Sequence, residues 1–252
     1  MIFAKLVPRE YRPLLQYITP TAFSVVDWRT ALSEFLSNSN FISRDANLKI
    51  SVEKTNSALA NLGITMTRDG NFEKEDFNNG EAILKVYFGQ LLLDHGVFLD
   101  LRLLRFAQTS EQVQYYPAKI FYRFQDEFKA GLIDLYDGYF LEDRERLKLG
   151  MKKTGLWDGK DPLEVQKLAT LMFDHFGDAL KNPVKLEMSA FGDSFQNLFD
   201  YFEQKQVTLP SGFLFLGVYL VTLYLSIDKI GKPYDIRAIY KHVKYSGYSG
   251  AT

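Results

Sequence analysis

Residues 81–98 read EAILKVYFGQLLLDHGVF, and this stretch decides how the rest of the chain is read. Ile83, Leu84, Tyr87, Phe88, Leu91 and Leu92 recur at three- and four-residue spacing, the period of one helix face. His95-Gly96 closes that helix, and the period then becomes two. Val97, Leu99, Leu101 and Leu103 alternate with Phe98, Asp100, Arg102 and Leu104, which predicts a strand. Thr109-Ser110-Glu111 supplies a turn, and 113–121 predicts an antiparallel return. Pro117 has no N–H to give a ladder, so that return belongs at an edge or a bulge.

Toward the C-terminus the pattern is helical throughout. Phe124, Phe128, Leu132, Leu135 and Tyr136 form one stripe, with Gly138 as its expected stop. A charged helix over 142–153 closes on Gly155. Asp161-Pro162 opens the next as N-cap and first helical residue, with Leu163, Val165, Leu168, Leu171, Met172 and Phe176 on its core face. Phe191, Phe195, Leu198, Phe199 and Phe202 make another stripe. Pro210-Ser211 opens the apolar run GFLFLGVYLVTLYLSI at 212–227, which Gly231 and Pro233 end. These 16 residues fall short of the about 20 that span a bilayer, and charges follow at once, so a buried core helix is expected. A short helix over 235–240 and a tail from Ser246 complete the chain.

Toward the N-terminus the signals are weaker. A helix over 28–36 is expected to stop at Ser37-Asn38-Ser39-Asn40, whose short polar side chains compete for backbone hydrogen bonds. A strand at 48–52, a short helix at 55–62 stopped by Gly63, and an extended piece at 64–67 meeting the turn signal Asp69-Gly70 follow. Residues 73–76, EKED, read as a solvated linker or helix start. The expected organisation is an N-terminal mixed segment at 1–79, a helical domain at 80–245 and a mobile tail at 246–252. The fold class is mainly α (α+β).

Composition narrows the function. The 252 residues carry a net charge of −1, which offers nothing to nucleic acid or an anionic surface. Aromatics at 15% argue for a packed globule rather than disorder. Zero cysteines exclude disulfides, thiolate metal sites and a cysteine nucleophile, and fit a cytoplasmic setting. The N-terminus MIFAKLVPREYRP lacks the apolar core of a secretory signal. His95, His175 and His242 stand apart, with no metal-ligand spacing, so no metal site is expected. No glycine-rich phosphate loop or nucleophile elbow is present. Asp126, Glu127, Asp134 and Asp137 read as a solvated helix face.

Three stretches carry a family resemblance. VYFGQLLLDHGVF at 86–98, LYDGYFLEDRERLKLGMKKTGLWDG at 135–159 and FGDSFQNLFDYFEQKQVTLPSGFLFLGVYLVTLYLSIDKIGKPYDIRAIY at 191–240 resemble the AarF/UbiB family of atypical kinases. In that family the first delivers the catalytic loop, and in the last "LP" opens a long apolar helix followed by a short Asp-x-Arg segment. The likeness covers about residues 80–240 and implies a kinase C-lobe-like fold linked to lipid or quinone homeostasis. Carried over by residue, the family's His-Ala-Asp-Pro-His-Pro-Gly-Asn loop falls on Leu99–Phe106. The catalytic Asp becomes Leu101, the metal-binding Asn becomes Phe106, and the loop's histidines become Leu99 and Leu103. The Asp-Phe-Gly turn falls near Pro117-Ala118-Lys119. Residues 1–79 hold no nucleotide loop and are too short for the N-lobe.

The resemblance therefore implies a pseudokinase-like interaction or scaffold protein, without catalytic, cofactor-binding or metal-binding residues. Its partner would be a protein or a lipid-like ligand, with peripheral membrane contact and no transmembrane segment. The alternatives are an isoprenoid- or lipid-binding helical module, and a residual phosphotransferase or ATPase built on Asp100 or Asp134. The candidate interaction surface is Tyr115, Tyr116, Phe121 and Tyr122, where an active relative would hold nucleotide. These four either fill the vacated pocket or form an exposed aromatic patch.

Overall fold

The computed structural model describes residues 20–68, 76–93, 96–110 and 112–246. Three helices lead: α1 (Pro20–Val25), α2 (Trp28–Ser43) and α3 (Asp45–Ala60). After β1 (Ile64–Met66) come α4 (Gly80–Leu93) and β2 (Val97–Phe98). A 3-10 turn at Leu103–Arg105 precedes β3 (Phe106–Gln108), β4 (Val113–Tyr115) and β5 (Phe121–Tyr122). The C-terminal half is α5 (Asp126–Phe140), α6 (Arg144–Lys153), α7 (Pro162–Phe173), β6 (Val184–Lys185), α8 (Met188–Lys205), α9 (Gly212–Ile230), β7 (Pro233–Tyr234) and α10 (Ile236–Ser246). The fold is mainly helical with small strand pairs, as the sequence patterns predict.

Helix α4 is more deeply placed than a one-faced stripe suggests. Val86 and Gln90 are buried along with the apolar face, and its outward residues Glu81 and Lys85 pair at 2.8 Å. Helices α3, α9 and α10 pack around it. Among the described residues, α9 is the one helix long and apolar enough to cross a membrane. In the fold it is a core helix: Phe213, Leu216, Tyr219, Leu220, Leu223 and Ile227 have no exposed surface.

The β element is small and split. β4 lies between β1, its parallel partner, and β3, its antiparallel partner, with Phe106 opposite Tyr115. The predicted antiparallel return forms as β4 against β3, with Thr109 N donating to Gln112 O at 3.0 Å, but it stops at Tyr115, ahead of Pro117. The chain re-forms as β5, antiparallel to β2. The alternating strand expected over 97–104 is confined to Val97–Phe98. Leu99, Asp100 and Leu101 are all buried, so no solvent face exists there to support a period of two.

Other sequence expectations change for local reasons. Residues 48–52 are helical, because Leu48, Val52, Thr55 and Leu59 share the buried face of α3. Helix α2 runs through the Ser-Asn run to Ser43. Asn38 Nδ2 donates to Glu34 O at 2.8 Å and Asn38 Oδ1 accepts from Arg123 N at 3.1 Å, so its amide is satisfied without breaking the helix. Asp161 caps α7 as expected, accepting from Leu163 N at 2.9 Å, but Leu163 itself is 84% exposed rather than part of the core. The Asp69-Gly70 turn, most of the 73–76 linker and His95 lie outside the described residues, as does all of the 246–252 tail but Ser246.

Gly138 does not end α5. It lies inside the helix, where α5 and α6 meet backbone to backbone. A Cβ there would sit 2.4 Å from Leu147 N, and a Cβ at Gly150 would sit 2.4 Å from Leu135 N. Neither neighbour is a side chain that can turn away. Gly150→Ala is therefore expected to cost about 1–3 kcal/mol by overpacking, despite alanine's better helix propensity. Gly192→Ala on α8, with nothing within 4 Å of the new methyl, is expected to gain up to about 1 kcal/mol. Denaturant midpoints of the pair check this, and equal midpoints would contradict the close contact.

Candidate functional site

The loop Leu99–Arg105 joins β2 to β3 beneath α9. Leu99 N donates to Ile120 O at 2.9 Å and Tyr116 N donates to Arg105 O at 2.8 Å, so the loop runs alongside 116–120. On its other side it is tied to α9. Thr222 Oγ1 donates to Leu99 O at 2.8 Å and accepts from Leu101 N at 3.2 Å, and Ser226 Oγ donates to Leu101 O at 2.8 Å. Two hydroxyls four residues apart on one face of an apolar helix thus satisfy buried loop backbone that would otherwise go unpaired. Leu101, Leu103, Phe106 and Ala118 are buried around it.

Asp100 is the one carboxylate of this loop, and it is fully enclosed. Its Oδ1 accepts from Arg102 N at 3.1 Å and Arg102 Nε at 2.8 Å. Its Oδ2 accepts from Arg102 Nη2 at 2.7 Å and Arg105 Nε at 2.8 Å. A carboxylate offers about four acceptor positions, and four N–H groups occupy them. Burial pushes the carboxyl upward, but the two guanidiniums outweigh it and hold it below its ordinary range. Asp100 is an ionised structural anchor with no lone pair turned toward a ligand.

The four candidate aromatics do not make an exposed patch. Tyr115 is wholly buried, stacks on Phe106 at 4.9 Å and donates to Asp100 O at 3.1 Å. Phe121 is buried against Phe98, with ring centroids 5.0 Å apart. Tyr122 stacks on Phe215 at 3.7 Å and donates to Glu34 Oε2 at 2.6 Å; burial and that carboxylate push its phenol up. Tyr116 is half-buried, with the Arg105 guanidinium 5.9 Å from its ring centre. Three of the four therefore fill space beside the loop.

Glu34 also accepts from Gln125 Nε2 at 2.9 Å and from Ser211 Oγ at 2.7 Å, which fastens α2 to the entrance of α9. A lone glutamate in a polar helix gives no sequence signal for that role. Thr222 and Ser226 do give one, as polar residues at helical spacing inside an apolar run.

The remaining sequence candidates take structural places. Asp134 pairs with Lys153 at 2.7 Å across α5 and α6. Asp137, expected on a solvated face, is buried and bound by Arg146, Tyr240 and Lys244. His175 is buried among aromatic rings, and His242 is exposed on α10. No group of three or more His, Cys, Asp or Glu able to hold a metal occurs among the described residues. Comparison of the chain with protein-family models, with curated proteins and with solved structures finds no match.

Proposed function

We propose that the chain is a non-catalytic relative of the AarF/UbiB kinases that works as a cytoplasmic interaction or scaffold module. The observation that carries the reading is the state of the Leu99–Arg105 loop. Its one carboxylate is saturated by Arg102 and Arg105, and its backbone is tied to Thr222 and Ser226. Leu101, Phe106 and Pro117 are buried apolar groups where hard-cation ligands would be needed. Phosphoryl transfer depends on placing Mg²⁺ against the triphosphate, and these side chains have no oxygen to give it. Adjacency of the loop to 116–120 supports the kinase-like part of the reading, because catalytic loop and metal-binding turn must lie together for that chemistry. The partner under this reading is a protein or a lipid-like molecule.

Calorimetry with Mg·ATP tests it. No saturable heat is expected, and Leu101→Asp alone should not restore any, because the remaining ligands are still absent. Saturable binding at a Kd on the order of micromolar would overturn the reading.

A further inference from the structure

Between the α5–α6 turn and the C-terminal half of α7 lies a cleft of about 310 Å³, within the range that holds a small ligand. Its floor is apolar. Phe173 and Leu147 are buried, Leu180 is half-buried, and the Tyr139 ring stacks on Phe173 with centroids 4.1 Å apart and planes 8° from parallel. The walls are held at a cost. Glu142 sits at φ 60°, a left-handed conformation where glycine is the usual choice. Arg237 reaches from α10 to brace both sides, donating from Nη1 to Leu180 O at 3.2 Å and from Nη2 to Glu142. Its Nε is buried without a hydrogen-bond partner among the described residues.

Two residues of opposite charge line the cleft. Arg144 opens α6 and Asp174 follows α7, both exposed. Neither makes an ion pair within 4.0 Å among the described residues, and they do not bridge to each other. Tyr139 lines the same cleft. Burial, then the charges of Asp178 and Asp174, push its phenol up to about 12, so it stays a protonated, neutral donor at neutral pH.

We propose that this cleft binds a small zwitterion, an α-amino acid with an apolar or aromatic side chain. Asp174 takes the ammonium group, Arg144 takes the carboxylate, and the side chain lies on the half-buried Tyr139 ring and Leu180. The inference is independent of the kinase resemblance, since none of these residues belongs to the loop.

The test uses the full chain in calorimetry and thermal shift with L-phenylalanine, phenethylamine and 3-phenylpropanoate. L-Phenylalanine should bind saturably and raise Tm, and each analogue, lacking one charge, should bind at least about tenfold more weakly. Asp174→Asn should weaken L-phenylalanine but leave 3-phenylpropanoate unchanged, and Arg144→Gln should weaken L-phenylalanine but leave phenethylamine unchanged. Both side chains are exposed, so Tm without ligand should not move. Absence of saturable binding up to about 10 mM, equal binding of the three compounds, or indifference to both substitutions would overturn the proposal.

Discussion

Asp137→Ala should destabilise the protein by about 3–5 kcal/mol, the cost of leaving buried polar and charged partners without their carboxylate. Asp137 has no exposed surface, and its oxygens accept from Tyr240 Oη at 2.7 Å, from Lys244 Nζ and from Arg146 Nη1. One side chain on α5 thereby joins α6 and α10. Burial, together with the charge of Asp137, pushes the Tyr240 phenol up, so that hydroxyl remains a donor at every ordinary pH. Tyr240 is itself wholly buried, and Lys244 is only 15% exposed, so water replaces the lost carboxylate poorly. Asp137→Asn keeps the shape and one acceptor and should cost less than the alanine change. Urea denaturation of both variants reads the difference. Losses below about 0.5 kcal/mol for both would show that the cluster is solvated rather than enclosed.

The second large effect is acid lability from His175. Its ring lies against Phe176, Phe191, Phe195 and Tyr224. Tyr224 donates its only hydroxyl proton to His175 O at 2.7 Å, so its oxygen accepts from His175 Nδ1 at 2.8 Å. That places the proton on Nδ1 and leaves Nε2 as a buried lone pair without a hydrogen-bond partner among the described residues. Burial pushes the imidazole down to about 3, against a smaller opposing contribution from the Met172 backbone.

The folded value lies below the ordinary 6.5, so between those limits the unfolded chain takes up a proton that the folded chain refuses. Stability from this group is complete above pH 6.5 and falls by about 1.4 kcal/mol per unit as pH drops toward 3. Two units, from pH 6.5 to 4.5, should remove about 2 kcal/mol. The loss from Asp100, whose carboxyl is held low, begins only below the ordinary carboxylate value near 3.8, so the upper window belongs to the histidine. His175→Phe should flatten the stability profile between pH 6.5 and 4.5. An unchanged slope in that variant would place the acid sensitivity elsewhere.

Much of the fold was legible in the sequence because long apolar periods leave little choice. The stripes of α8 and α9, the Asp161-Pro162 start of α7 and the Gly231 stop of α9 fell where the pattern put them. The failures share a physical origin in contacts made far along the chain. The period of two after Gly96 vanished because both faces of that segment are covered. Gly138 reads as a helix stop until α6 is seen lying against it. Asp137 reads as a surface charge because Lys244, its partner, is more than a hundred residues away.

The site was legible only in part. That the loop is apolar where the proposed kinship would place ligands is read directly from Leu101 and Phe106. Its fastening to Thr222 and Ser226 is not, and neither is the enclosure of Tyr115, Phe121 and Tyr122. The cleft beside Tyr139 gave no sequence signal at all, since Arg144 and Asp174 belong to different elements and no local motif joins them.

Amide hydrogen exchange across 99–106, measured with and without Mg·ATP, tests the closed loop most directly. Leu99 N is bonded to Ile120 O at 2.9 Å and Leu101 N to Thr222 Oγ1 at 3.2 Å, both in buried surroundings. Both amides should exchange only through global unfolding, at rates that Mg·ATP leaves unchanged. Rapid exchange in the free protein, with protection appearing when Mg·ATP is added, would contradict a loop sealed against nucleotide.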